Sequence, residues 1–176
     1  MPIHSDLLDY WKKNKETEPI KKAIRFLFLS NFTFLGTGEQ MRTRADNVKK
    51  YFYENLKICF SDLTDVNFSN KDCCNFLQSI ELRETNQTFI YSDPPYLETT
   101  DNYSNSFTTT DSSDLFDSLQ KTGCKFAYSE FNHPFIIQQA KERNLNVHII
   151  GERQNLKNRR IEILVTNYEL NQLKLF

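Results

Sequence analysis

Apolar residues recur along this chain with two different periods, and the change of period divides it. In the first third the period is helical. Ile3, Leu7, Leu8 and Trp11 fall on one face of a helix predicted over 3–14, with Ser5 or Asp6 near its start. The polar break Lys15-Glu16-Thr17-Glu18 follows, and Pro19 suits the first turn of a second helix. Ile20, Ala23, Ile24, Leu27 and Phe28 keep the helical period to about Leu29. Val48, Tyr51, Phe52 and Leu56 share the face of a third helix, from about Ala45 to Leu56. Between the second and third helices, Ser30–Gly38 carries Gly36 and Gly38, the one close pair among four glycines.

Beyond residue 60 short apolar runs alternate with helical patterns. Val66-Asn67-Phe68 predicts a short strand, and Phe76, Leu77 and Ile80 a helix around Asp72–Ile80. Thr88-Phe89-Ile90-Tyr91 is β-branched and aromatic and reads as a buried strand. Leu97 to Thr110 is rich in Thr, Ser and Asn, which predicts a mobile loop and a candidate lid. A helix over Asp111–Lys121, a strand over Cys124–Ser129 and a helix opened by Asn132-His133-Pro134 and running to Arg143 come next. Strands at Asn146–Ile150 and Ile161–Thr166 close the chain, joined by the basic link Glu152–Arg160. From residue 88 the order is strand, helix, strand, helix, strand, strand, which predicts an α/β fold.

Composition narrows the choice of partners. The length, 176 residues, suits a single fold with a real core, and Phe (15) far outnumbers Trp (1), so that core should be Phe-rich. A net charge of −1 excludes a protein coated in positive charge, so any nucleic-acid surface must be a local patch. Cys59, Cys73, Cys74 and Cys124 lack metal-ligand spacing and read as reduced thiols; no metal site is expected. No signal pattern and no run of membrane-spanning length is seen, so a cytoplasmic location is expected.

The chemistry concentrates at Ser92-Asp93-Pro94-Pro95-Tyr96, directly after the Thr88–Tyr91 run. Each proline fixes its own φ and restricts the residue before it, so the strand must stop in a stiff, extended turn. A carboxylate stands on one side of that turn and an aromatic ring on the other. Ligands of open α/β sheets bind beyond such strand ends. A bare Pro-Pro turn that merely ends a strand is the plainer alternative.

Asp-Pro-Pro-Tyr after a strand, followed by a polar loop and a helix and closed by Glu162-Ile163-Leu164-Val165-Thr166-Asn167-Tyr168, resembles the Dam-like class of adenine-N6 DNA methyltransferases. Val66–Asp72 and Phe26–Gly38 resemble two further segments of that family, so the likeness runs from about residue 20 to 170. It implies a partial Rossmann-like sheet flanked by helices. Residues 1–60 would form a helical region resembling the family's DNA-contacting insert, and 61–176 the part bearing the catalytic motif. It further implies that Asp93, Pro94, Pro95 and Tyr96 are catalytic, the Asp93 carboxylate and the Pro94 carbonyl accepting hydrogen bonds from the two N6 protons and Tyr96 stacking on a flipped adenine. Asp72, Cys73 and Asp93 are implied to border S-adenosylmethionine, although Cys73 stands where the family often has an aromatic. Asp72 reads equally well as a helix N-terminal acid. Two basic clusters are candidates for double-stranded DNA: Arg42 and Arg44 with Lys49 and Lys50, and Arg153, Lys157, Arg159 and Arg160. Tyr103 and Phe107 are candidates to order over the flipped base.

One family feature has no clean counterpart. The family begins with a strand, a Phe-x-Gly-x-Gly turn and a second strand ending in an acid, and the turn holds the cofactor. Phe34-Leu35-Gly36-Thr37-Gly38 has the glycines but follows a helical pattern. If the cofactor turn is missing, the sheet has an open apolar edge at Thr88–Tyr91, and a second polypeptide is expected to supply the missing strands. In a compact alternative Phe34–Gly38 is the turn and Asp62 the acid. A non-catalytic DNA-binding relic, or a methyltransferase acting on RNA or protein amines, are the other readings.

Overall fold

The structure, a computed structural model, describes residues 4–43, 45–80, 85–98, 107–154 and 159–169, with side chains described for all of these except 45–47 and 153–154. The chain forms two compact units, Met1–Phe68 and Ser69–Phe176.

The first unit is helical. α1 spans Ser5–Lys13 and α2 spans Pro19–Phe32. The Glu18 carboxylate accepts the otherwise unpaired N–H groups of Ile20 and Lys21 (2.9 and 3.0 Å), so α2 starts where the polar break ends. α3 runs over Ala45–Asp62, past the expected end at Leu56, because no glycine or proline interrupts it. Leu8, Trp11, Phe28 and Phe32 form the buried core. Phe28 meets the Trp11 ring edge-on at 5.0 Å, and Phe32 meets Phe52 at 5.4 Å.

The glycine segment closes α2. Leu35, Gly36 and Gly38 all have positive φ (53°, 71° and 79°), and a Cβ at Gly36 would stand 3.2 Å from the Ser30 carbonyl oxygen. The turn thus follows a helix, and Asp62 ends one, so neither stands after a strand as the compact alternative requires. The short strand expected at Val66–Phe68 does not form. No ladder takes the segment up, and Val66 and Phe68 remain exposed.

The second unit is α/β, as expected. It contains α4 (Cys73–Ser79), β1 (Phe89–Ser92), α5 (Thr109–Lys121), β2 (Lys125–Phe131), α6 (Pro134–Glu142), β3 (Asn146–Gln154) and β4 (Arg159–Thr166). The four strands make one mixed sheet in the order β1-β2-β4-β3. β1 pairs parallel to β2, whereas β4 runs antiparallel to both β2 and β3. Alternation along β2 and β4 puts Phe126, Tyr128, Ile163 and Val165 on one face, where Leu115, Phe116 and Leu119 of α5 and Ile136 and Ala140 of α6 bury them. Arg143 ties the two helices by bonding Asp117 and Ser113 of α5.

Two expectations are revised here. β1 reads as a buried strand, yet it is the sheet's edge, and Phe89 and Tyr91 are 54% and 59% exposed. The basic link Glu152–Arg160 is largely strand: Arg153 pairs with Arg160 and Gln154 with Arg159, so β3 and β4 form one long antiparallel hairpin. Polar residues can continue such a hairpin because its far end needs no core on either face. Of the segment expected to be a mobile loop, Leu97 is buried and a reciprocal Thr108–Asp111 cap opens α5, while the expected mobility and lid fall mainly on residues outside those described. Residues 99–106, including Tyr103, lie outside the described residues. No helix among the described residues is long and apolar enough to cross a membrane.

Candidate active site

Asp93, Pro94 and Pro95 leave the carboxyl end of β1 and line a cleft of about 790 Å³. Asp72, Cys73 and Cys74 at the start of α4 form a second wall, and α5 forms a third with Asp111, Asp114 and Asp117. Phe107, at the described end of the loop, lines it too. Sequence residues expected on the cofactor side (Asp72, Cys73) and on the base side (Asp93) therefore share one cavity. Among the described residues its lining is acidic, with Lys121 as the one basic group.

Asp72 also caps α4, its Oδ1 accepting the Asn75 N–H at 3.0 Å. Asp72, Cys73 and Cys74 bring their ligand-type atoms within 4.8 Å of one another, the one such grouping among the described residues. Burial, then the neighbouring Cys74 thiol and the Asp72 carboxylate, push the Cys73 thiol up to about 11, so it stays protonated at neutral pH.

Tyr96 follows the cleft-lining residues and is fastened to β2 and β4. Its hydroxyl donates to Glu162 Oε1 on β4 (2.8 Å) and lies 2.6 Å from Ser129 Oγ on β2. Its ring meets Phe131 edge-on at 4.7 Å, and the Arg160 guanidinium sits 5.1 Å over that Phe131 ring. Burial, with the Glu162 and Asp93 carboxylates adding to it, holds the phenol well above its ordinary range. It is a neutral donor. The next residue, Leu97, is buried in the core on the helix-covered face. Its backbone N–H donates to Glu130 Oε2 at 3.1 Å, while Glu130 Oε1 accepts from the Phe131 N–H at 2.8 Å. The turn thus straddles the end of β2, anchored by a side chain on one face and by a backbone bond on the other.

A model of the D12 class N6 adenine-specific DNA methyltransferase matches residues 5–165. The chain belongs to this family. No curated protein matches it in sequence. The Dam-like resemblance therefore holds at the level of the class, and the four-stranded mixed sheet flanked by helices is consistent with a partial Rossmann-like methyltransferase fold.

The basic candidates of this D12 chain are scattered among its elements. Arg42 is exposed after the glycine turn, and Arg159 is exposed at the start of β4. Arg160 is half-buried beside Phe131. Arg44, Lys157 and the Arg153 side chain lie outside the described residues. The groups that sequence reasoning did not single out are Ser129, Glu130 and Glu162, which hold the turn from β2 and β4. The signal for Glu130 was a carboxylate in the middle of the apolar run Phe126–Phe131.

Proposed function

We propose that this chain transfers a methyl group from S-adenosylmethionine to N6 of an adenine flipped out of double-stranded DNA. The observation that carries the reading is Asp93, at the carboxyl end of a parallel strand and in one cleft with Asp72 and Cys73, in a chain of the D12 family. The cleft suits the cofactor in size, since small-molecule sites span about 300–1,000 Å³. Its carboxylates suit the positive charge that the cofactor carries. The bound cofactor supplies an electrophilic methyl group on a cationic sulfur.

The chain's own residues act on the acceptor amine. The adenine N6 lone pair is delocalised into the ring, so the nitrogen must become more tetrahedral to attack. Asp93 carboxylate and the Pro94 carbonyl accept hydrogen bonds from the two N6–H groups, both bonds strengthen as positive charge grows on nitrogen, and one of the two protons is lost once the methyl group has been transferred. Pro94 and Pro95 fix those acceptors in advance. Tyr96 stacks on the flipped base from its anchored position, a contact worth about 1–3 kcal/mol. Asp72 and Cys73 border the cofactor. Arg42 and Arg44, in the helical region 1–60, and Arg153, Lys157, Arg159 and Arg160 at the hairpin contact DNA phosphates and base edges. Residues 61–176 carry the catalytic motif.

We also propose that the enzyme is split. β1 ends the sheet with Phe89 and Tyr91 exposed on one face, and the glycine turn follows a helix. A second polypeptide that supplies the missing strands and the cofactor glycines would cover the edge.

Calorimetry with S-adenosylmethionine, followed by methylation of plasmid DNA, tests the reading. Asp93→Ala is expected to abolish methyl transfer with the fold intact by circular dichroism. Turnover retained by that variant would reject the assignment of Asp93.

A further inference from the structure

Glu130 is an ionisable side chain in a fully buried position, 0% exposed, one residue before the end of the core strand β2. Burying a carboxylate is costly unless its oxygens are satisfied. Both are: Oε1 takes the Phe131 N–H and Oε2 takes the Leu97 N–H. The first bond is local. The second reaches 33 residues back to the amide directly after the catalytic tyrosine. Such a bond does nothing for the strand that carries Glu130, which is already paired to β1 and β4. Its effect falls on the turn.

We propose that Glu130 is a positioning residue for methyl transfer, its carboxylate tethering the Leu97 amide and so fixing the Asp93–Tyr96 turn over the end of β2. The inference rests on the reading of Asp93 and Pro94 as acceptors for the adenine amine. Tyr96 is held on the opposite face by Ser129 and Glu162, so losing the Leu97 tether leaves only the apolar packing of the Leu97 side chain to hold the turn on the helix-covered face. Asp93 and Pro94 lie four and three residues before Leu97, within reach of any tilt this allows.

The tether also depends on charge state. An ionised Glu130 offers two acceptors to two N–H groups. A protonated one turns one oxygen into a donor and weakens one of the bonds. Burial pushes the Glu130 carboxyl up to about 7, against the pull of the Phe131 and Leu97 amides and of Arg160 on β4, with Asp93 adding to the rise. Tyr128, on the same face of β2, is buried and neutral, its hydroxyl 3.0 Å from Ser112 Oγ on α5. The charges acting on Glu130 are thus Arg160 and Asp93.

The test reads the tether first without substrate. In the full chain, the Leu97 amide resonance is followed from pH 5 to pH 9; a large shift with its midpoint near 7 is expected in the wild type. In Glu130→Gln that titration should vanish. The same variant should then methylate DNA with kcat reduced roughly ten-fold or more and with KM for S-adenosylmethionine little changed, since misplacement of reacting groups acts on the chemical step. A Leu97 amide in the wild type that exchanges its hydrogen with solvent as fast as an unbonded amide overturns the proposal, and that arm needs no variant to fold. So does a Glu130→Gln enzyme with full kcat. A wild-type enzyme that titrates at Leu97 yet methylates nothing even when complete with its partner polypeptide would instead contradict the function proposed above, so the two failures separate.

Discussion

In the function proposed here, Tyr96 has two tasks that pull in different directions. Stacking on a base needs its ring free on one side, while its hydroxyl is fastened to Glu162 and Ser129. The fastening decides where the ring sits, so Tyr96→Phe should keep the stacking surface and lose the aim. Removing that hydroxyl also leaves partly buried Glu162 short of a donor, at a cost of about 1–3 kcal/mol. We expect a lowered denaturation midpoint together with a several-fold drop in kcat, read by urea unfolding and by single-turnover methylation. Glu130 makes a second prediction at this scale. Its carboxyl stands above the ordinary 4.5 in the folded chain, so the folded state binds the extra proton. Stability from this group is fully present below about 4.5 and is lost as pH rises through about 7. Urea unfolding between pH 4.5 and 8 should show that loss in the wild type, and Glu130→Gln should flatten it. The Asp-Pro-Pro-Tyr turn was legible because its four residues constrain one another in sequence. The clamp beneath it was not, because Leu97 and Glu130 meet only through the pairing of β1 with β2.

At the scale of elements, α5 carries both core and site. Leu115, Phe116 and Leu119 are buried against the sheet, while Asp111, Asp114 and Asp117 face the cleft. Its start is set by the Thr108–Asp111 cap, where the Thr108 hydroxyl and N–H hold the Asp111 carboxyl below its ordinary range. Thr108→Ala should cost about 1 kcal/mol, and Leu119→Ala about 2–5 kcal/mol, both measured by denaturant unfolding. The helices were readable from their period because each buries one stripe. The ends of strands were harder. β3 and β4 extend well past the apolar residues that announce them, since cross-strand pairing from Arg153 to Arg160 continues without a core. Val66–Phe68 failed in the opposite way: its pattern suits a strand, but a strand needs an edge to join.

The whole molecule shows two units and a sheet that stops at β1. A strand apolar on both faces, as Thr88–Tyr91 is, belongs in the middle of a parallel sheet, and the exposure of Phe89 and Tyr91 is the physical argument for a missing neighbour. The split-enzyme reading predicts a stable complex with a second polypeptide, seen as an increase in size-exclusion mass, and methylation only by that complex. A lone chain that methylates DNA at full rate would contradict it. Beneath that question lies the central claim, that the turn at Asp93 performs methyl transfer to adenine. The most direct test incubates plasmid DNA with S-adenosylmethionine and the complete enzyme, digests the DNA to nucleosides, and weighs them by mass spectrometry. The account predicts N6-methyladenine from the wild type and none from Asp93→Ala. Methylation at cytosine, or N6-methyladenine undiminished in Asp93→Ala, would contradict it.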